Sequence, residues 1–134
     1  MSEEFIRGLV SHLPLHEQKI KTLIYYIYLV PNNDYEAYFE RYSQAIIELD
    51  NLLVTLSDDE INRYFIDIFH GISQLDLPRE DLKTKMLNMF EILFIHYINY
   101  LSIDTIKEII NSFEILINAV IDYRPNVAHE IFTR

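Results

Sequence analysis

Histidine and carboxylate side chains are the groups that could hold a metal ion in this 134-residue chain, because it contains no cysteine. His12 and His16 stand four residues apart, but Pro14 lies between them and interrupts the helix that would align them. Asp67 and His70 form one carboxylate–histidine pair at i, i+3 spacing. A di-metal helical bundle needs two such pairs and two further acids, and no second pair occurs. The spacing therefore predicts no metal site and no bound cofactor.

Serine is the only small hydroxyl-bearing nucleophile placed at distinctive positions, and its context indicates structure rather than catalysis. Ser57 and Ser102 each precede an apolar helical pattern, where serine is favoured as a helix cap. The chain has only two glycines, too few for a nucleophile elbow or a phosphate-binding loop. We therefore expect no enzymatic activity and no nucleotide. An enzyme that uses buried carboxylates is the remaining alternative of that class.

The elements that position these groups are predicted to be helices. Glycine is too scarce for the hairpins and bulges of a strand-rich fold, and apolar residues recur at helical spacing. The pattern predicts one all-α domain over residues 1–134, made of six or seven antiparallel helices with short connections. Helix starts are predicted near Ser2, Pro14, Asn33, Ser57, Asp76 and Ser102, the last of these helices running to about Tyr123, with a final short helix over 126–133.

A weak internal repeat has an offset of 45 residues. Residues 56–61 align with 101–106, and the apolar positions that follow stay in step. This spacing lies within the range of HEAT and armadillo repeats, which stack helical hairpins into a solenoid. Any two amphipathic helices that begin with Leu-Ser would also align, so a compact bundle stays the alternative.

Negative charge is concentrated in one third of the chain. The formal net charge is −10, and residues 34–81 contain twelve acids against three arginines. A surface of one sign steers a basic partner and repels the phosphates of nucleic acids. The same acids could instead serve solubility or oppose helix dipoles at helix starts.

Tyrosine overlaps this acidic segment, since seven of the ten tyrosines lie between positions 25 and 64. Tyrosine among carboxylates is typical of a binding surface, where the ring anchors and the charges surround it. Most of these rings are expected inside the core, with Tyr35 and Tyr38 the candidates for exposure. The predicted partner-binding residues, expected on one side of the molecule, are Tyr35, Glu36, Tyr38, Glu40, Asp58, Asp59, Glu60 and Asp67.

These features together predict a cytoplasmic protein-binding module. We expect a small acidic inhibitor, of the immunity-protein or antitoxin type, that neutralises a basic toxin or nuclease. Two other classes stay open, a nucleic-acid mimic that blocks a DNA-binding protein and a self-associating helical scaffold. No direct nucleic-acid binding is expected, because the acidic surface repels phosphates. No membrane span is expected, because the apolar runs are too short or are interrupted by polar residues.

Overall fold

The computed structural model of the protein describes residues 3–29 and 34–133, with only the backbone of Glu3. This part of the chain folds into eight α-helices and three short 3-10 turns at 53–55, 98–100 and 114–116, and it contains no strand. The helices are α1 Glu3–Val10, α2 Leu15–Tyr28, α3 Tyr35–Leu52, α4 Asp58–Ser73, α5 Glu80–Tyr97, α6 Ile103–Ser112, α7 Ile117–Tyr123 and α8 Pro125–Phe132. The all-α prediction is confirmed.

Two of the predicted helix starts are confirmed by their hydrogen bonds. The Ser57 hydroxyl accepts from the Glu60 amide, and the Glu60 carboxylate accepts in return from the Ser57 amide. The Ser102 hydroxyl accepts from the Thr105 amide at the start of α6. In α3 the cap is Asp34, whose carboxylate accepts from the Ala37 amide. The predicted starts at Ser2 and Asn33 lie outside the described residues.

The predicted start at Asp76 is wrong, because α5 begins four residues later at Glu80. Leu75 and Leu77 are both buried in the connection, which keeps this segment extended against the core. Pro78 also disfavours a helical conformation at the residue before it. The amphipathic pattern of the sequence did not distinguish these two buried leucines from leucines inside a helix.

The predicted count of six or seven helices is too low, because the predicted helix from Ser102 to Tyr123 is interrupted at Phe113. Phe113 has φ −123° and ψ 83°, outside the helical region. Its ring meets Phe69 and Phe90 edge-on, at centroid distances of 5.5 and 5.9 Å. The aromatic contacts hold this residue at the end of α6 and separate α6 from α7.

Alternate helices lie side by side and run in the same direction. Along α2 and α4 the contacts advance together, with the His16 Nε2 atom 3.5 Å from Glu60 and the Lys21 Nζ atom 2.9 Å from Asp67. Next along the row, α4 contacts α6 where His70 Nε2 lies 3.2 Å from Glu108 Oε1. We call α2, α4 and α6 the even layer.

A second row packs against the first, and we call it the odd layer (α3, α5 and α7). The Tyr42 hydroxyl donates to the Met86 carbonyl at 2.8 Å, and His96 Nδ1 lies 2.8 Å from the Asp50 carboxylate. These two pairs, and the two named above that join α2 to α4, are separated by 44 to 46 residues in sequence, close to the repeat offset of 45. His70 and Glu108, which join α4 to α6, are 38 residues apart. A single apolar core lies between the layers.

Side chains from neighbouring helices satisfy the carbonyls at helix C-termini. No described residue has the positive φ of a glycine cap. Arg41 donates to the Leu29 carbonyl at 2.5 Å at the end of α2, and Arg124 donates to the Ile98 and Leu101 carbonyls at 2.5 and 3.1 Å after α5. Arg41 thereby joins the end of α2 to α3 in the other layer, and Arg124, after α7, contacts the end of α5 in its own layer.

The two glycines should respond in opposite ways to alanine. At Gly71 an added Cβ would lie 3.0 Å from both the Ile27 and Tyr28 side chains, whereas at Gly8 nothing lies within 4 Å. Alanine gains about 1 kcal/mol of helix propensity at either site, but overpacking costs about 1–3 kcal/mol at Gly71. In urea unfolding, Gly8→Ala should stabilise the protein and Gly71→Ala should destabilise it by about 1 kcal/mol. Equal stabilisation by both variants would mean that α2 and α4 are not closely packed.

Candidate partner-binding site

The acidic side chains of the predicted partner-binding set, Asp67 apart, lie at two opposite edges of the helix rows. Edge A is formed by the first turns of α2, α4 and α6 and by the connections 11–14, 53–57 and 98–102 that precede them. Edge B is formed by the starts of α3 and α5. The 18-residue helix α3 runs from edge B to edge A, a distance of roughly 27 Å. Glu36 and Glu40 are therefore separated along α3 from Asp58 and Asp59, and a single face that unites them stays a prediction.

At edge B the carboxylates are interleaved with cations. Arg79 donates to the Asp81 carboxylate through two nitrogens at 3.0 and 2.8 Å, and these hydrogen bonds lower the pKa of Asp81 to about 2. The same guanidinium lies 3.7 Å from Glu36. Tyr35 is half-buried against the core, and Glu40 is exposed. Edge B therefore offers a partly neutralised surface and one partly covered ring.

Tyr38 is buried, and the expectation that it is exposed is wrong. Its side chain is 1% exposed, and its hydroxyl donates to the Ile27 carbonyl at 2.5 Å. Tyr42, one turn later, is fully buried as well. Burial raises the pKa of both hydroxyls well above the usual value of 10. Tyr38 is thus a core residue whose hydroxyl caps a carbonyl at the C-terminal end of α2.

Edge A brings together five carboxylates from three helix starts, namely those of Glu17, Asp58, Asp59, Glu60 and Asp104. The amide of Asn62 joins α4 to the turn before α6, since it donates to the carbonyls of Asp58 and Tyr100 at 2.7 and 3.0 Å. The three helix dipoles add roughly half a positive charge each, and Arg63 adds one more. The edge therefore keeps a net negative charge.

Two of these five carboxylates are held by structural contacts. Glu60 belongs to the capping box, and hydrogen bonds from the Ser57 backbone and side chain lower its pKa. Glu17 accepts from Arg63 at 2.9 Å and from the Tyr64 hydroxyl at 2.5 Å. Burial, followed by that bond to Glu17, raises the pKa of Tyr64 to about 12. Glu60 and Glu17 are thus largely committed to the fold.

Asp58, Asp59 and Asp104 are the carboxylates that edge A leaves for a partner. All three are exposed, and none of these side chains has a hydrogen bond or ion pair within residues 3–29 and 34–133. Asp67, by contrast, is half-buried on the outer side of the even layer and is neutralised by Lys21. The prediction that Asp67 binds a partner stays a prediction.

Exposed apolar side chains accompany the acids at edge A, and the sequence did not single them out. The side chain of Tyr100 is 44% exposed and that of Val54 is 62% exposed. Both occupy the 3-10 turns that precede α4 and α6. The position of Tyr100, two residues before the Ser102 cap, could have indicated an exposed ring, because a side chain in a turn before a helix has few core residues within reach.

The structure also brings His16, Glu17 and Glu60 together, with one ligand atom of each within 4.8 Å of the others. His16 was considered only with His12, so this group was not found from the sequence. Arg63 and the positive ends of two helix dipoles oppose a cation at this point. The absence of a bound metal stays a prediction.

Removing the cap at edge A should weaken the start of α4. Ser57→Ala deletes the hydroxyl that accepts from the Glu60 amide and donates to the Glu60 carboxylate. We expect a loss of about 1 kcal/mol in the free energy of unfolding, measured by urea denaturation. Ser73→Ala, at the exposed end of the same helix, is the control and should change stability by less. An unchanged value for Ser57→Ala would contradict the capping assignment.

Comparison with known proteins adds no relative: no family model, no curated protein and no solved structure matches the chain. In the part of the chain that the structure describes, none of the helices has the length and apolar character required to cross a membrane. The site must therefore be interpreted from its own chemistry.

Proposed function

We propose that this chain is a protein-binding module that binds a basic protein through edge A. The observation that supports this proposal is the pair of free carboxylates, Asp58 and Asp59, beside the exposed ring of Tyr100. An exposed aromatic anchor bordered by charge matches the composition of binding hot spots. The charges would steer a basic partner and the ring would slow its dissociation.

The class we propose is a small cytoplasmic inhibitor, of the immunity-protein or antitoxin type, acting on a basic toxin or nuclease. A site built to bind phosphates is cationic, and an acidic edge with an apolar anchor complements it. A nucleic-acid mimic would present a row of acids with few rings. The exposed Tyr100 and Val54 at edge A favour the protein-binding inhibitor over the mimic.

We also propose that the fold is a short stack of antiparallel helical hairpins, of the HEAT and armadillo type. Its support is the sequence separation of 44 to 46 residues between pairs that join α2 to α4 and α3 to α5. In such a stack the connections of successive hairpins lie along one edge. Edge A is then a composite surface to which three hairpins contribute.

Self-association is a second candidate, favoured by a different surface. A groove of about 270 Å³ between α3 and α5 is lined almost entirely by apolar side chains, and Ile47 and Ile92 beside it are 58% and 55% exposed. Exposed apolar patches of this kind mark interaction surfaces. Light scattering over a range of concentrations tests this candidate, since a constant monomer mass would eliminate it.

Affinity capture from the native host tests the proposed function. The wild-type chain serves as bait, bound proteins are eluted with increasing salt, and the eluates are identified by mass spectrometry. We expect one basic protein that elutes at moderate ionic strength, because contacts between exposed charges are screened. The bait carrying Asp58→Lys and Asp59→Lys should not retain it.

A matched bait makes the result specific to edge A. Asp76→Lys and Glu80→Lys introduce the same change in charge at the opposite end of the rows and should retain the partner. If both double variants lose the partner equally, only net charge matters and edge A is not the site. If neither does, the binding surface lies elsewhere.

A further inference from the structure

A groove of about 500 Å³ lies beside α1, floored by α2 and bordered by α3. Its volume falls within the range of small-molecule sites. Its lining combines apolar side chains with charged ones, among them Leu15, Leu23, Arg7, Lys19 and Glu48.

Two cations of this groove lack partners. Arg7 comes from α1 and Lys19 from α2, and neither has a carboxylate within 4 Å among the side chains described in residues 4–29 and 34–133. Among the lysines and arginines of the described residues, Lys21, Arg63 and Arg79 have a carboxylate within 4 Å. Lys21, two residues along α2 from Lys19, pairs with Asp67 at 2.9 Å. The pair at the groove is therefore available to an external anion.

We infer that this groove binds a small apolar monocarboxylate. The carboxylate would accept charge-assisted hydrogen bonds from Arg7 and Lys19. Its apolar body would lie on the side chains of Leu15 and Leu23, of which Leu15 is 84% exposed without a ligand. Glu48, also without an ion-pair partner in the described part of the chain, lines the groove and repels a second negative charge.

Octanoate is the probe, and isothermal titration calorimetry on the full chain is the measurement. We expect octanoate to bind more tightly than 1-octanol, which is neutral, or octylammonium, which is positively charged. Both have a similar alkyl chain but no carboxylate. Arg7→Gln and Lys19→Gln should each weaken octanoate binding by about fivefold to tenfold. Glu48→Gln should strengthen it by about twofold to threefold. Circular dichroism on each variant checks that the helices are retained.

Matched variants elsewhere separate a local contact from net charge. Lys107→Gln on α6 and Glu40→Gln on α3 change the net charge equally outside the groove and should leave octanoate binding unchanged. Equal affinity for octanoate and 1-octanol, no measurable binding, or equal effects of the groove and control variants would overturn the inference. Asp58→Lys with Asp59→Lys should leave octanoate binding intact, so this test is independent of edge A.

Discussion

Alkaline pH is expected to unfold this protein steeply above pH 10 because of its buried tyrosines. Tyr38 and Tyr42 are almost fully buried, and burial raises the pKa of both hydroxyls in the folded state. Above pH 10 the unfolded chain loses these protons while the folded chain keeps them, so stability falls as pH rises. Each buried hydroxyl should cost about 1.4 kcal/mol per pH unit between pH 10 and its folded pKa. Urea denaturation at pH 8 to 12 measures this slope.

Single substitutions assign the effect to these residues. Tyr42→Phe removes the ionisable group, and with it the hydrogen bond to the Met86 carbonyl. We expect lower stability at pH 8, by about 1–2 kcal/mol, and a shallower decline above pH 10. Tyr123→Phe, at a ring that is 53% exposed, should leave the alkaline slope unchanged. A wild-type stability that stays level from pH 10 to 12 would contradict the burial of these hydroxyls.

Charge reversal at edge A should produce the largest change in partner binding. Asp58→Lys with Asp59→Lys replaces two exposed carboxylates by two cations at the start of α4. At low salt the association rate should fall by roughly tenfold to hundredfold, because steering by the negative edge is lost. The salt dependence of that rate should flatten at the same time. Stopped-flow mixing with the captured partner gives both quantities.

Truncation of the ring should act on the other rate constant. Tyr100→Ala should speed dissociation by an amount equivalent to about 2 kcal/mol and leave association nearly unchanged. Tyr28→Ala removes a ring that is 39% exposed at the C-terminal end of α2, the end opposite edge A, and is the control. If Tyr100→Ala slows association instead, the ring contributes to the encounter and is not the anchor.

Local chemistry explains why the helices could be predicted from sequence. Ser57 and Ser102 stand before apolar periodic runs, and a cap interacts with atoms only three residues away. Features that depend on near neighbours in sequence are legible without a structure.

The candidate site could not be predicted, because it depends on which helix ends lie next to each other in the folded protein. Glu36 and Asp58 are 22 residues apart, and the length of α3 places them at opposite edges. A charge sum along the chain treats them as one cluster. Tyr38 shows the same limit, since the carbonyl to which its hydroxyl donates belongs to Ile27 of α2. Long-range contacts decide both outcomes.

Hydrogen exchange of the complex with the captured partner tests the central claim most directly. Amide exchange is measured for the free chain and for the complex, and the protected peptides are compared between the two edges. The account predicts slower exchange in the complex over residues 57–63 and 98–105, which contain the free acids, the exposed ring and their connections. Protection confined to residues 34–40 and 76–83, at edge B, would contradict it.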